Sequence, residues 1–324
     1  MTKNSPFLHS LILDGQGKAV PVSEEEVSKW NPSKGLLWVH LDYQAQEAIE
    51  WFKNKSKLSS LTVETLTDED TRPRITSADN GHIIVLRSIN SNPGHEPEDM
   101  VSLRLWINDD QIISTCHRMV ETIEDIQSAL ICGKGPKTSS EFLIMACEMI
   151  TEDISDIVAE IGDGIDDLEE NILKESRYQI RSEIADFRRM VISIRRYLVP
   201  QRDIFSKFVS EGVHWLSEQE ILKLRESGER TLRLLEELDT FRDRAIILQE
   251  EITFQLSEDM NKAIYMLSIV ATIFLPLTLL TGLLGINVGG IPGASYPYAF
   301  FIVCGILIVL AIMEYFIFKR KRML

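Results

Sequence analysis

The chain has 324 residues, enough for one ordinary soluble domain and a small membrane part. Its 49 acidic and 34 basic residues leave a formal charge of −15. From Ala263 onward the charges are Glu314 and the run Lys319, Arg320, Lys321, Arg322, a net +3, so the first 262 residues carry −18. So acidic a soluble part argues against nucleic acid as a partner, because phosphates are repelled; it suits cations, and it equally suits solubility alone.

The N-terminal stretch has no long apolar core and no cleavage site, so it does not read as a signal peptide. Residues 1–138 read as an α/β domain. Leu36–Leu41, His82–Leu86, Val101–Ile107 and Gln111–Thr115 are apolar, β-rich runs, separated by turn signals at Asp79-Asn80-Gly81 and Asn108-Asp109-Asp110. Helical patterns fall at Gln44–Asn54 and Val120–Leu130. Cys116, Cys132, Cys147 and Cys304 form no CxxC pair, which points away from disulfides and structural zinc and toward a reducing cytoplasm. Cys116 and His117 are adjacent on a strand and point to opposite faces, a poor bidentate site. His9, His40, His82, His95 and His214 are scattered and read as structural.

Residues 139–216 read as an antiparallel pair of charged helices. Ser139–Lys174 is very acidic over Glu152–Glu170, and Arg177–Phe208 is basic, with Pro200 expected to kink it. A long helix spans 217–284. Ser217-Glu218-Gln219-Glu220 fits a capping box at its start, and neither Gly228 nor Pro276 ends it. At 1.5 Å per residue a helix of such length reaches about 100 Å and needs neighbours or copies to pack against.

The uncharged run Ala263–Leu284 is long enough to cross a bilayer, and residues 298–318 form a second span broken only by Glu314. The Gly- and Pro-rich segment 285–297 turns between them, and 319–324 is a basic tail. That tail places both termini in the cytoplasm of a bacterial inner membrane, in a two-span topology. Glu314 lies near the basic end, where it can snorkel or pair with the tail; a role in the ion path is the alternative.

Two helices cannot enclose a water-filled path, so the hairpin is an anchor or one stave of a ring. Alternating steps of four and three along the first span trace Asn261, Ile264, Ser268, Ala271, Leu275, Thr278 and Gly282. This stripe is mostly small or polar. Around a shared axis its hydroxyls and amide would form rings of oxygen ligands; equally, small residues pack helix on helix. Followed backward, the stripe meets Glu250, Asp243, Glu236, Glu229 and Glu226, opposite an apolar seam of Leu234, Leu238, Phe241, Ala245, Leu248 and Ile252. The acidic line is either a solvated face or a funnel feeding a pore. Beyond the span, Gly285-Ile286-Asn287 offers an amide oxygen and turnable backbone carbonyls. No Asp, Glu, His or Cys lies in 285–297, so bare zinc or magnesium lacks its ligands there; Asn oxygens can instead hold the water shell of a hydrated dication.

In combination these residues resemble a known family. Leu275–Asn287 (LPLTLLTGLLGIN), ending a helix that carries Asn261-Lys262, is similar to the pore end of the CorA-type metal transporters, whose signature is Gly-Met-Asn where this chain has Gly285-Ile286-Asn287. The isoleucine, the following Gly289-Gly290-Ile291-Pro292-Gly293, Asp70-Thr71-Arg72-Pro73-Arg74 and Glu98–Trp106 resemble the zinc-transporting ZntB-like branch. The resemblance covers nearly the whole chain. It implies an α/β/α cytoplasmic domain, a long stalk helix lining the pore, a funnel-shaped homopentamer, and Asn287 at the periplasmic mouth. It also implies proton-driven Zn2+ uptake, with Cd2+, Ni2+ and Co2+ as further cargo and no cofactor. The lost methionine puts magnesium selectivity in doubt. Rivals are a Mg2+, Co2+ or Ni2+ channel of the same architecture and a membrane-anchored sensor or scaffold without a pore. An enzyme is not expected, since no P-loop, nucleophile elbow or HExxH is present.

Overall fold

The four apolar runs all form strands, and three further strands join them in one mixed sheet. The computed structural model describes residues 6–69, 72–172, 177–210, 213–286, 291, 293 and 296–320. The strands are β1 (His9–Leu13), β2 (Ala19–Pro21), β3 (Leu36–Asp42), β4 (Arg74–Ala78), β5 (Gly81–Ser88), β6 (Val101–Ile107) and β7 (Gln111–Cys116). Their order is β2-β1-β3-β7-β6-β5-β4. Only β3 and β7 pair in parallel, with Trp38 opposite Ile112 and His40 opposite Ser114. The connection between those two strands holds the helices α2 (Gln46–Asn54) and α3 (Ser60–Thr67), as a parallel crossover requires.

Side chains alternate between two cores because successive strand residues point to opposite faces. Leu37, Val39, Leu41, Ile83 and Val85 pack with Trp51 and Phe52 of α2 and Leu66 of α3; Val27 of the short α1 (Glu24–Ser28) joins them. Trp38, Ile84, Leu86, Leu103 and Leu105 face the other way. There they meet Ile123 and Ile126 of α4 (Glu121–Ile131), Phe142 and Ile150 of α5 (Ser139–Asn171), and Leu198 and Phe205 of α6 (Arg177–Ser210). The result is an α/β/α sandwich.

The turn signals act as read. Asp79 and Asn80 hold φ of 52° and 56°, the geometry of a two-residue hairpin turn joining β4 to β5. Gly81 follows because a Cβ there would sit 2.7 Å from the Ile107 carbonyl oxygen. Asn108 Oδ1 accepts from the Asp110 and Gln111 amides and closes the β6–β7 hairpin.

The helix α7 runs from Glu218 to Leu284 without a break, through Gly228 and Pro276. Its start is the expected capping box: the Ser217 amide donates to Glu220 Oε2 at 2.7 Å, and the Glu220 amide to Ser217 Oγ at 3.3 Å. The helix α6 passes through Pro200 as one element. The acidic α5 and basic α6 pack closely at Gly164, where a Cβ would meet the Phe187 ring at 2.3 Å. The charge pairing differs from a simple α5–α6 match. Glu152 pairs with Arg230 at 2.6 Å and Asp166 with Arg244 at 2.5 Å, both between α5 and α7, while Arg195 of α6 meets Asp239 of α7 at 2.9 Å. The third helix takes the charges because its arginines interleave with its carboxylates on the side turned to the pair.

The chain divides into two compact units, Met1–Gln249 and Glu250–Leu324. The second contains the end of α7 and the helix α8 (Ala299–Arg320).

Candidate functional site

The soluble stretch of α7 has two unlike sides. Leu234, Leu238, Ala245, Leu248 and Ile252 are buried and Phe241 is half-buried, as the apolar seam requires. Glu226, Glu229, Glu236, Asp243 and Glu250 are all exposed. The line is not bare negative charge. Arg225 pairs with Glu229 at 3.3 Å and Arg242 with Asp243 at 2.8 Å, and Ile247 lies on the same line.

In the apolar spans, half-buried residues fall on one side of each helix. Within the apolar span of α7, residues 263–284, they are Ile269, Ile273, Pro276, Leu277 and Leu280; on α8 they include Val303, Cys304, Leu307 and Ala311. At about 100° per residue the α7 row lies on the opposite side of the helix from Asn261, Ile264, Ser268, Ala271, Leu275, Thr278 and Gly282. All seven of those are exposed. The stripe of small and polar residues therefore lies on the open side of the helix. Ser268 Oγ donates to the Ile264 carbonyl oxygen at 2.9 Å, which leaves its lone pairs facing outward as acceptors.

The helix α7 ends where the glycine predicts. The Gly285 amide donates to the Thr281 carbonyl oxygen at 2.9 Å, and Gly285 and Ile286 are exposed. Asn287, Gly289, Gly290 and Pro292 lie outside the described residues, as do Asp70, Thr71, Lys321 and Arg322.

Glu314 departs from the expectation that it snorkels toward the basic end. It is 9% exposed and sits on the half-buried side of α8, with Oε2 buried and without a hydrogen-bond partner. A glutamate stem is short, and the end of α8 at Arg320 is more than a turn away. The sequence position was visible; the side it faces was not.

The cysteine and histidine pairing is also different in detail. Cys116 Sγ lies 3.2 Å from His40 Nε2, and His40 Nδ1 lies 2.7 Å from Ser114 Oγ, all buried in the sheet. Burial pushes the Cys116 thiol up to about 12, so it stays protonated. His117 points away and stands 3.5 Å from Asp42. His9 contacts Glu124 at 2.9 Å. Among the described residues no three His, Cys, Asp or Glu side chains are grouped so as to hold a metal ion.

Both α7 and α8 contain stretches long and apolar enough to cross a membrane. Joined to an α/β/α sandwich through one long helix, they define a membrane protein with a large soluble part. The family described as CorA-like Mg2+ transporter protein matches residues 33–320, and the chain belongs to it. The zinc transport protein ZntB of Pectobacterium carotovorum subsp. carotovorum is 36% identical over 308 residues, which cover 95% of this chain and 93% of that protein. The divalent cation transporter CmaX of Pseudomonas aeruginosa is 35% identical over 322 residues, covering 98% and 97%. The solved structure of full-length CmaX matches with a TM-score of 0.84 at 34% identity, over 99% of this chain and 100% of that one.

Proposed function

We propose that this chain is a divalent-cation transporter of the bacterial inner membrane whose cargo is Zn2+. Identical subunits, five in number, surround a pore with the α7 stripe from Asn261 to Gly282. Gly285, Ile286 and Asn287 form its outer mouth, and Asn287 engages the ion through its water shell. The exposed carboxylates from Glu226 to Glu250 draw cations toward the pore. Residues 1–138, the pair 139–216 and both termini are cytoplasmic, 217–284 is stalk and first span, 285–297 the outer loop, 298–318 the second span and 319–324 the tail. Uptake is coupled to protons.

The observation that carries this reading is the exposed face of the α7 span. Seven exposed positions in heptad step, five of them small or polar enough to admit water and backbone, are poorly suited to acyl chains and well suited to a shared axis. Zinc is favoured over magnesium by the relatives named for zinc and by Ile286 at the middle of the mouth motif. Magnesium, cobalt or nickel as main cargo is the second reading; the family's own description names magnesium.

The test is uptake of labelled zinc by proteoliposomes holding the full chain. Zinc entry that excess magnesium leaves intact, and that Asn287→Ala cuts by roughly tenfold or more through lost hydrated-ion contacts, supports the reading. Entry abolished by excess magnesium selects the second. No metal flux, or flux indifferent to Asn287→Ala, overturns the pore.

A further inference from the structure

Three strands of the sheet run the same way. β7 is parallel to β3, and β5 and β7 are each antiparallel to β6. Their carboxyl ends, Asp42, Ser88 and Cys116, therefore share one edge. Ligands of open α/β sheets bind outside the carboxyl ends of the strands. Here that edge holds a cavity of about 240 Å³. Tyr43 and Gln44 line it beyond β3, Arg87 from β5, Ser102 from β6, and His117 and Arg118 beyond β7.

The first 262 residues carry −18, yet the charges at this cavity are mainly positive. Arg87, Arg118 and, when protonated, His117 stand against Glu69, the one carboxylate among the described lining residues. Gln44 Nε2 donates to Glu69 Oε1 at 3.1 Å, and His117 stands 3.5 Å from Asp42. Arg87 is 8% exposed; its Nη1 donates to the Met100 carbonyl oxygen at 2.9 Å, and its guanidinium lies 4.4 Å from the centre of the Tyr197 ring. Arg104 is 1% exposed and lies 4.5 Å from the centre of the Tyr43 ring. Its Nη2 donates to the Asp68 carbonyl oxygen, while Nε and Nη1 have no hydrogen-bond partner. A buried cation with idle donors is costly, and an anion close by offsets that cost. Arg118 is exposed and makes no hydrogen bond or ion pair among the described residues, so its fork is open. The helices α2 and α4, which follow β3 and β7, both begin without a side-chain cap, at Ala45 and Val120. Uncapped first-turn amides and the positive end of a helix dipole favour an anion. Glu47, Glu121 and Glu124 in those turns lie outside the lining.

We propose that this cavity binds a small phosphate-bearing anion, held by the Arg118 fork and the Ser102 hydroxyl and drawn by the charge of Arg87 and Arg104. Planar guanidinium forks match phosphate oxygens bidentately. The volume is below the ~300–1,000 Å³ of drug-sized ligand pockets, which restricts the occupant to orthophosphate or a small phosphate ester. The site is independent of the transport reading above. It abuts the junction of the sheet with α6, because the Arg87 amide donates to Gln201 Oε1 at 2.7 Å.

Isothermal titration calorimetry on the detergent-solubilised full chain tests it, in metal-free buffer at about 0.15 M sodium chloride. Orthophosphate, glycerol phosphate and citrate are titrated separately. One saturable site per chain is expected for a phosphate ligand. Arg118→Ala should weaken it by roughly tenfold or more, and Glu69→Gln should tighten it by roughly threefold. Tighter binding of the ester assigns the phosphate to a small metabolite and tighter binding of orthophosphate assigns it to the free ion; both support the site. Citrate binding more tightly than either overturns the phosphate assignment. No saturable phosphate binding, or wild-type affinity in Arg118→Ala, overturns the site. Should Arg118→Ala not fold, Glu69→Gln decides: tighter binding supports the site and unchanged affinity overturns it.

Discussion

Arg244 of α7 places Nη2 2.5 Å from Asp166 Oδ1 of α5, and the same guanidinium reaches Glu169 at 2.7 Å. The two carboxylates push the already high Arg244 pKa further up. One cation therefore clamps the acidic helix to the long one, while the exposed side of α7 keeps its carboxylates. Replacing Arg244 with Ala should lower the melting temperature only slightly, since each partly exposed pair contributes no more than about 1 kcal/mol. The difference from wild type should shrink at about 1 M salt, where the Debye length is roughly 3 Å. Thermal unfolding of the detergent-solubilised chain at two salt concentrations measures both.

Gly164 is where α5 and α6 come closest. A methyl group there meets Phe187 at 2.3 Å, whereas at Gly305 of α8 it meets open space. Gly164→Ala gains about 1 kcal/mol of helix propensity and loses about 1–3 kcal/mol to overpacking, for a net destabilisation. Adding Phe187→Leu should recover the stability, and Gly305→Ala should cost nothing. Melting temperatures of the three variants decide.

His40 gives the fold a defined acid sensitivity. Burial, then the neighbouring His9, lowers its pKa to about 3 from 6.5, with Ser114 acting the other way. Between those values the unfolded chain binds a proton that the folded chain refuses. Stability attributable to His40 is therefore complete above pH 6.5 and falls as pH drops toward 3, by up to ~1.4 kcal/mol per pH unit. Urea unfolding at several pH values should show a shallower acid slope for His40→Gln.

Asp153 acts with the opposite sign. Burial, then Glu121 and Asp125, raises its pKa from 3.8 to about 6. Its ionised form strains the folded state above pH 6 and not below 3.8. Asp153→Asn should stabilise the chain at neutral pH, and the gain should disappear as pH falls through that window. The same urea series reads it.

The stripe and the seam should differ in chemistry as well as exposure. In the assembled transporter, cysteines at Ser268 and Thr278 should react with a water-soluble thiol reagent roughly tenfold faster than cysteines at Leu277 and Leu280, because only a hydrated thiol ionises readily. Labelling time courses in membranes compare them. Equal rates on both rows would remove the aqueous axis.

Much of this was legible in the residues. Continuous apolar runs such as Gly81–Ser88, buried on both faces, announce central strands, and Ser217-Glu218-Gln219-Glu220 announces a helix start. The edges were not legible. Arg74–Ala78 is largely polar because an edge strand faces water, and Ala19–Pro21 is three residues long. Ser60–Thr67 is helical despite three threonines and a valine, carried by the Ser59 cap and the burial of Leu66. Residue size and step picked out the stripe from Asn261 to Gly282 but left open whether it lines a pore or packs on another helix. The side on which Glu314 lies did not, because charge in an apolar run gives no rotational phase by itself.

The order of the elements has a consequence for biogenesis. All seven strands lie before Glu121, and the apolar spans come after Met260. A ribosome adding roughly 5–20 residues per second has therefore delivered every strand of the sheet seconds before the first greasy segment leaves its tunnel. Sheet edges can find one another in an aqueous compartment while no membrane segment is present to compete, and the insertion machinery receives its substrate from a chain whose globular half is already sealed.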